Sequence, residues 1–244
     1  SWTRIELSDT FYAEGASFGD LNLDGKMDVI AGPFWYEGPG FTKAHEFYPA
    51  RPFDRNGYSD NFFVWVRDFN ADGWNDLLII GFPGKDASWY ENPKGVEGHW
   101  TRHVVFEKGL DNESPTFTDL DGDGREELVF HYQGQFGWAG PGPGPGDAAE
   151  PWPFHPVAPK GEYGPFTHGM GVGDVNGDGR RDILERTGWW EQPPEGSKQE
   201  FWTKHPFDFA PGGYGGAQMY AYDFDGDGDN DVLAGPAAHG FGLH

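Results

Sequence analysis

One ten-residue run constrains this chain more than anything else in it. It reads Asp20-Leu21-Asn22-Leu23-Asp24-Gly25-Lys26-Met27-Asp28-Val29, and its pattern returns from Asp68, Asp119, Asp174 and Asp223. In every copy, acid or amide oxygens stand at positions 1, 3, 5 and 9, glycine at position 6, and Val, Leu or Ile at position 10. The copies begin 48, 51, 55 and 49 residues apart. A loop repeated at that period marks equivalent small modules: propeller blades, solenoid units or an array.

The spacing suits a hard divalent cation. Ca2+ takes six to eight oxygens, and alternate residues of a tight loop can turn theirs to one centre. Glycine at position 6 permits a bend that a residue with a Cβ takes only at a cost. By analogy with the EF-hand loop, position 7 supplies a backbone carbonyl, so Lys26, Trp74, Arg125, Arg180 and Asp229 need no special side chain. The closing carboxylate comes at position 9 rather than 12, and the apolar residue after it opens a strand, not a helix. Asp, Asn and Gly populate turns on their own account. Five copies holding the same five positions go beyond that.

The acidity of the chain has the same origin. Of its 40 Asp and Glu, 17 stand at those four loop positions, and the formal charge is −23. Without a basic stripe to neutralise phosphates, the chain is not expected to bind nucleic acid. No apolar run approaches a spanning length, so no membrane insertion is expected. The absence of cysteine excludes a disulfide framework and thiol chemistry. Aromatics at 17% with 39 Gly and 20 Pro speak for short strands and turns.

The segments between loops repeat as well. A short small-and-aromatic stretch precedes each loop, as in Ala16-Ser17-Phe18-Gly19, and reads as an innermost strand. An apolar run follows each loop, as in Leu77-Leu78-Ile79-Ile80, and reads as a second strand buried on both faces. A third, aromatic strand is expected at Phe34–Glu37, Trp89–Glu91, Gly137–Ala139 and Trp189–Glu191. A fourth is expected at Phe41–Lys43, Trp100–His103, Trp152–His155 and Trp202–His205. Four strands of five or six residues fill such a period.

The ends decide the closure. Trp2–Leu7 looks like a fourth strand with no others before it, while the last unit stops after a candidate third strand, 240–243. If the first strand completes the last unit, the ring seals and leaves no open edge. The expected fold is all-β: a single five-bladed β-propeller of four-stranded antiparallel blades, closed by the N-terminal strand. The blades would cover about 12–50, 60–107, 111–158, 164–208, and 214–244 with 1–9. A piece of a longer propeller is the alternative. The Gly-Pro alternation at 140–146 is expected to be an extended surface connector between blades three and four.

The repeated D-x-[DN]-x-[DN]-G-x-x-[DE]-apolar run between two strands resembles the FG-GAP/VCBS repeats of integrin α-subunit propellers, propeller lectins and many secreted bacterial proteins. The resemblance covers all five units. It implies a calcium-stabilised, extracytoplasmic propeller that binds a glycan or surface protein, or that decorates a larger protein. Carried over by position, the implied Ca2+ ligands are Asp20, Asn22, Asp24 and Asp28; Asp68, Asn70, Asp72 and Asp76; Asp119, Asp121, Asp123 and Glu127; Asp174, Asn176, Asp178 and Asp182; and Asp223, Asp225, Asp227 and Asp231. The five ions would be mainly structural, since equivalent copies around a ring do not make one active centre.

Candidates beyond calcium lie where the repeat is broken. Just before the inner strands stand Glu14, Asn61, Glu113, His168 and Gln218, which a propeller would direct to one mouth of its channel. His239 stands in a divergent part of the last unit. Glu14, Glu113 and His168 are candidate catalytic groups, able to hold a metal or to exchange protons. Trp35, Trp89 and Trp189, each with an acid nearby, are candidate sugar-stacking faces. No G-x-S-x-G, H-E-x-x-H or phosphate-binding glycine loop occurs. A binding module is therefore the first reading, a sugar lyase or dehydratase the second, and an architectural piece of a larger surface protein the third.

Overall fold

The computed structural model describes residues 3–111, 113–144, 146–211 and 215–238. Its described residues are all-β apart from one 3-10 turn, Asp147–Ala149, and none of its helices is long and apolar enough to cross a membrane.

The first sheet is β1 (Ala16–Gly19), β2 (Asp28–Ala31), β3 (Phe34–Tyr36) and β4 (Ala44–Glu46), paired in that order. The second is β5 (Phe63–Arg67), β6 (Asp76–Ile80), β7 (Ala87–Glu91) and β8 (Thr101–Phe106). The third is β9 (Thr116–Thr118), β10 (Glu127–Tyr132), β11 (Gln135–Ala139) and β12 (His155–Pro156). All three are antiparallel meanders, with each acidic loop joining the first two strands. The fourth set, β13 (Met170–Gly173), β14 (Asp182–Glu185), β15 (Gly188–Glu191) and β16 (Thr203–Pro206), repeats the meander. It then continues through a parallel pair to β17 (Gln218–Tyr222) and β18 (Asp231–Leu233).

That parallel pair sets Met170 against Gln218 and Gly171 against Met219. It depends on the missing side chain at 171, because a Cβ there would lie 2.1 Å from the Met219 carbonyl oxygen. First strands also approach closely in the opening sheets, where a Cβ on Gly19 would fall 2.6 Å from Val66. Among the described residues, β17 and β18 stand where the fifth sheet is expected, joined to the fourth by that parallel pair.

Of the second strands, β6 and β14 are buried throughout and β10 nearly so, β2 is buried at alternate residues and β18 is exposed or half-buried, while β4 and β16 stand on the outside. The chain forms two compact units: Ser1–Gly109 with Pro141–Trp152, and Leu110–Gly140 with Pro153–His244. The first is built around Leu21, Ile30, Phe47, Leu77 and Trp100. The second repeats that core with Leu120, Val129, Val157, Ile183 and Trp190, and carries a smaller cluster of Leu184, Met219 and Ala234.

Three sequence expectations change. The fourth strand of the first sheet begins at Ala44 rather than Phe41, because a turn closed by Phe41 N–H to Glu37 O (2.8 Å) puts Phe41 in the left-handed region at φ 53°. The Gly-Pro stretch is not a connector between blades three and four: it lies within the third sheet, between β11 and β12. Its tail is anchored in the first unit, where the buried Ala148 carbonyl accepts the indole N–H of Trp89 (2.8 Å) and of Trp152 (3.2 Å). Finally, Thr3–Leu7 forms no strand. Ser1, Trp2 and the expected partner strand at 240–243 lie outside the described residues, so no closing pair is seen.

Candidate metal loops and inter-sheet pockets

The five loops share one hydrogen-bond plan. In the first, the Asp20 carboxylate accepts the N–H groups of Asp24 (3.1 Å) and Gly25 (2.9 Å), and Asn22 Oδ1 accepts Asp24 N–H as well (3.0 Å). Asp24 Oδ1 then accepts the N–H of Lys26 at 2.9 Å. The same contacts recur from Asp68, Asp174 and Asp223. Position 6 is left-handed in every loop: Gly25, Gly73, Gly124, Gly179 and Gly228 have φ between 81° and 99°. Nothing lies within 4 Å of a Cβ built on any of them, so glycine is required there by conformation rather than by space.

Position 9 has a second task. Asp28 is fully buried; one of its oxygens accepts Leu21 N–H and the other Gly38 N–H, both at 2.9 Å. Asp76 joins Phe69 N–H (3.0 Å) to Asn92 N–H (2.8 Å), and Asp182 joins Val175 N–H (2.9 Å) to Gln192 N–H (3.0 Å). This carboxylate fastens the loop to the end of the third strand. Burial, with the neighbouring loop carboxylates, pushes Asp76 up to about 7 and Glu127 up to about 7, and lifts Asp182 to about 6, although backbone N–H groups pull the other way.

Carboxylate oxygens of Asp119, Asp121 and Glu127 all lie within 4.8 Å of one another, and so do those of Asp223, Asp225 and Asp231. These are positions 1, 3 and 9; the other three loops carry Asn at position 3. The position-5 acids Asp123 and Asp227 stand outside these groups, each accepting the N–H of residue 7. An all-oxygen donor set with partly buried, mutually repelling carboxylates fits a hard cation, which would neutralise them.

Two features of the loops went unread in the sequence. Position 4 is also left-handed, with φ 58° at Leu23 and Ala71 and 74–81° at Gly122, Gly177 and Gly226. The glycines at three of those five positions were the available signal. Position 8 ties loop to loop: Asn75 Nδ2 donates to Asp20 O (2.8 Å), Arg181 to Asp119 O (2.7 Å) and Asn230 Nδ2 to Asp174 O (2.6 Å). Long-range pairings of that kind have no local sequence signature.

The tryptophan series also resolves. Trp100, Trp152 and Trp202 each donate a backbone N–H to the carbonyl of the preceding fourth strand or its end, at Phe47, Val105 and Val157 (2.7–2.8 Å). Each third-strand indole lies flat on a fourth-strand imidazole: Trp35 on His45, Trp89 on His103, Trp138 on His155 and Trp189 on His205, with ring centroids 3.9–4.3 Å apart. In three sheets a third-strand glutamate holds that imidazole, with Glu37, Glu91 and Glu191 2.6–2.9 Å from Nε2. Trp35 and Trp89 are buried and Trp189 half-buried. The expected sugar-stacking rings therefore have one face on a histidine.

The groups placed before the inner strands fall into two sets. In the first unit, the Glu14 carboxylate accepts the N–H (3.1 Å) and hydroxyl of Ser59. Asn61 is fully buried, its Nδ2 donating to Gly32 O (3.3 Å). In the second unit, Glu113 meets His168 Nδ1 at 3.1 Å, and Gln218 donates to Thr116 Oγ1 at 2.5 Å. His239 lies outside the described residues.

Two cavities stand in equivalent positions. One, of about 420 Å³, is framed by Trp35, Trp100, Asn22 and Glu37, with Asn92 and Pro93 behind them. Its counterpart in the second unit, of about 550 Å³, has Trp138, Trp202, Asp121, Gln192 and Pro193 at the matching places. Each combines one sheet's acidic loop and third-strand tryptophan with the next sheet's third-to-fourth-strand turn. Asn92 Nδ2 and Gln192 Nε2 brace the two by donating to Leu21 O (2.9 Å) and Leu120 O (3.1 Å).

Residues 68–130, which run from the second loop through β6, β7, β8 and β9 to the third loop and into β10, match the model of the FG-GAP-like repeat. That stretch of the chain is an FG-GAP-like repeat. No curated protein sequence matches the chain. Among solved structures, the chain is similar to an Agrocybe aegerita lectin described for its specific recognition of non-reducing terminal N-acetylglucosamine. Identity is 18% and the TM-score 0.55, over 90% of this chain and 60% of that one. It is also similar to the V. cholerae biofilm matrix protein Bap1, at 15% identity and a TM-score of 0.50, over 96% of this chain and 37% of that one. The chain spans less than two thirds of either protein, and identities this low establish a shared fold.

Proposed function

We propose that this protein is a calcium-stabilised, extracytoplasmic module that binds carbohydrate, with the two equivalent inter-sheet cavities as its binding sites. The observation that carries the reading is their recurrence. Two cavities of sugar size, each set between a pair of tryptophans and rimmed by carboxylate and amide groups, occupy the same place in different units. The similarity to a lectin described as recognising terminal N-acetylglucosamine supports it. In this reading the ions sit on the oxygens of positions 1, 3, 5 and 9 and hold the loops that form one wall of each cavity. The sheets would be blades of a five-bladed propeller closed by the N-terminal segment. A glycan or glycosylated surface protein is the partner.

Calorimetric titration with an N-acetylglucosamine-terminated oligosaccharide in millimolar Ca2+ tests it. The expected result is two sites per chain, reduced to one by Ala44→Trp, which fills the exposed edge of the first cavity. A glycan array without a neutral or amino-sugar hit would overturn the reading. A second reading, acid–base chemistry on a sugar, draws on the Glu113–His168 contact at 3.1 Å. It requires that His168→Ala abolish turnover of a saccharide that the intact chain cleaves.

A further inference from the structure

A third cavity, of about 510 Å³, belongs to neither of the equivalent pair. It lies over the second sheet, and Arg51, Lys85 and Arg102 all line it. Such a gathering is unusual in a chain with 17 basic and 40 acidic residues. Two of the three cations are paired: Arg51 meets Asp60 at 3.2 Å and stands over the Phe53 ring, and Arg102 meets Asp86 at 2.5 Å. Lys85 is exposed and has no ion-pair partner among the described residues. With Asp60 and Asp86 counted, the lining keeps one positive charge in excess. Tyr48 and Tyr90, with ring centroids 5.3 Å apart at 30°, and Trp100 give it an aromatic wall.

The fourth sheet shows how this arrangement arises. Strand register makes Ile79 the counterpart of Glu185, since Ile79 pairs with Ser88 and Glu185 with Gly188. It likewise makes Arg102, opposite Tyr90, the counterpart of Lys204, opposite Trp190. In the fourth sheet the buried Glu185 takes the Lys204 ammonium at 2.5 Å and also meets Tyr163 and Thr187, so the cation is neutralised from within. In the second sheet, isoleucine leaves no carboxylate beneath the arginine. Arg102 pairs instead with Asp86 on the cavity lining, where Lys85 supplies the charge in excess.

We infer that this cavity binds a carboxylate-bearing sugar, a uronic acid residue of an acidic polysaccharide, with its carboxylate held by Lys85 and Arg102 and its ring against the aromatic wall. One excess positive charge matches one carboxylate, whereas Asp60 and Asp86 would oppose a dianion such as phosphate and can instead accept sugar hydroxyls. The inference extends the carbohydrate reading to a different cavity and a different sugar.

The test is titration with a glucuronate-containing tetrasaccharide, its carboxyl-reduced counterpart, and inorganic phosphate. The acidic tetrasaccharide is expected to bind at least about tenfold more tightly than the reduced one, the worth of one charge-assisted contact. Lys85→Met should remove about that factor, and Ile79→Glu, which installs the fourth sheet's lock, should abolish binding. Because Ile79 is buried, Lys85→Met serves as the variant that leaves the core untouched, and its melting temperature should equal that of the parent chain. Ala44→Trp, which blocks only the neutral-sugar cavity, should leave acidic binding unchanged, so this inference and the proposed function can fail separately. Equal affinity for the acidic and reduced sugars, indifference to Lys85→Met, or phosphate binding as tightly as the tetrasaccharide would overturn it.

Discussion

The second and fourth sheets set their second strands against their third, and Tyr90 or Trp190 against a fourth-strand cation, in the same register, yet they pair that cation in different ways. In the fourth, Glu185 and Lys204 close on each other inside the sheet. In the second, Ile79 stands at the place of Glu185, and Arg102 pairs with Asp86 on the lining of an open cavity. Their acidic loops, by contrast, share one plan: Asp76 and Asp182 each join a loop N–H to the residue after the third strand. The comparison separates what the repeat needs in order to fold from what each sheet is free to vary. The loop plan is the first kind; the surface over the second and fourth strands is the second kind.

The strongest way to break that comparison is to attack the shared part. Asp76→Ala strands two N–H donors, at half-buried Phe69 and buried Asn92, and should cost ~3 kcal/mol in urea denaturation. Asp182→Ala should cost a similar amount. If either were tolerated at no cost, the claim that position 9 fastens the loop would fail.

The next test is pH. Asp76 and Glu127 are pushed up to about 7 and Asp182 to about 6, well above ordinary carboxylates. Without metal, the folded chain then holds protons that the unfolded chain releases from about pH 4 upward. Stability from these groups is present at low pH and lost as pH rises through 6–7. In EDTA, the melting temperature should fall by about 5 °C between pH 5 and pH 8. A bound cation competes with those protons, so the gain from Ca2+ should be larger at pH 8 than at pH 5. A gain independent of pH would separate the buried carboxylates from metal binding.

The variable part predicts smaller effects. Glu185→Ile makes the fourth sheet resemble the second and leaves Lys204 and Thr187 without their carboxylate, at a cost of ~1–2 kcal/mol. Adding Lys204→Met should recover part of that, as a double-mutant cycle would show. The smallest effect belongs to position 4. Leu23→Gly relieves a left-handed leucine and should stabilise by ~0.5–1 kcal/mol, as Gly122 suggests by standing at the same conformation.

Much of this was legible in the sequence because repeats expose position-specific demands. Five copies of one loop located the first and second strands, and the apolar runs marked the strands buried on both faces. What escaped depends on neighbours far along the chain. The Asn75 and Asn230 links between loops, the glycine-dependent approach of β13 to β17, and the anchoring of the Gly-Pro tail by Trp89 join residues tens of positions apart. Phe41 shows a local limit: its residue type favours a strand, but the turn from Glu37 fixes it in the left-handed region. The charged cavity over the second sheet could be read only by aligning Ile79 with Glu185, which requires the register. Trp35 and Trp89 carried the right residue type for stacking, and the structure spends that face on histidine.

The central claim is that these oxygen-lined loops hold cations on which the fold depends. Thermal melting of the chain stripped with EDTA, then titrated with Ca2+ against a Mg2+ control, tests it most directly. The account predicts a melting temperature that climbs with Ca2+ and saturates, by the amount that mass action gives for several sites binding only the folded chain. An identical melting curve in EDTA and in millimolar Ca2+ would contradict it.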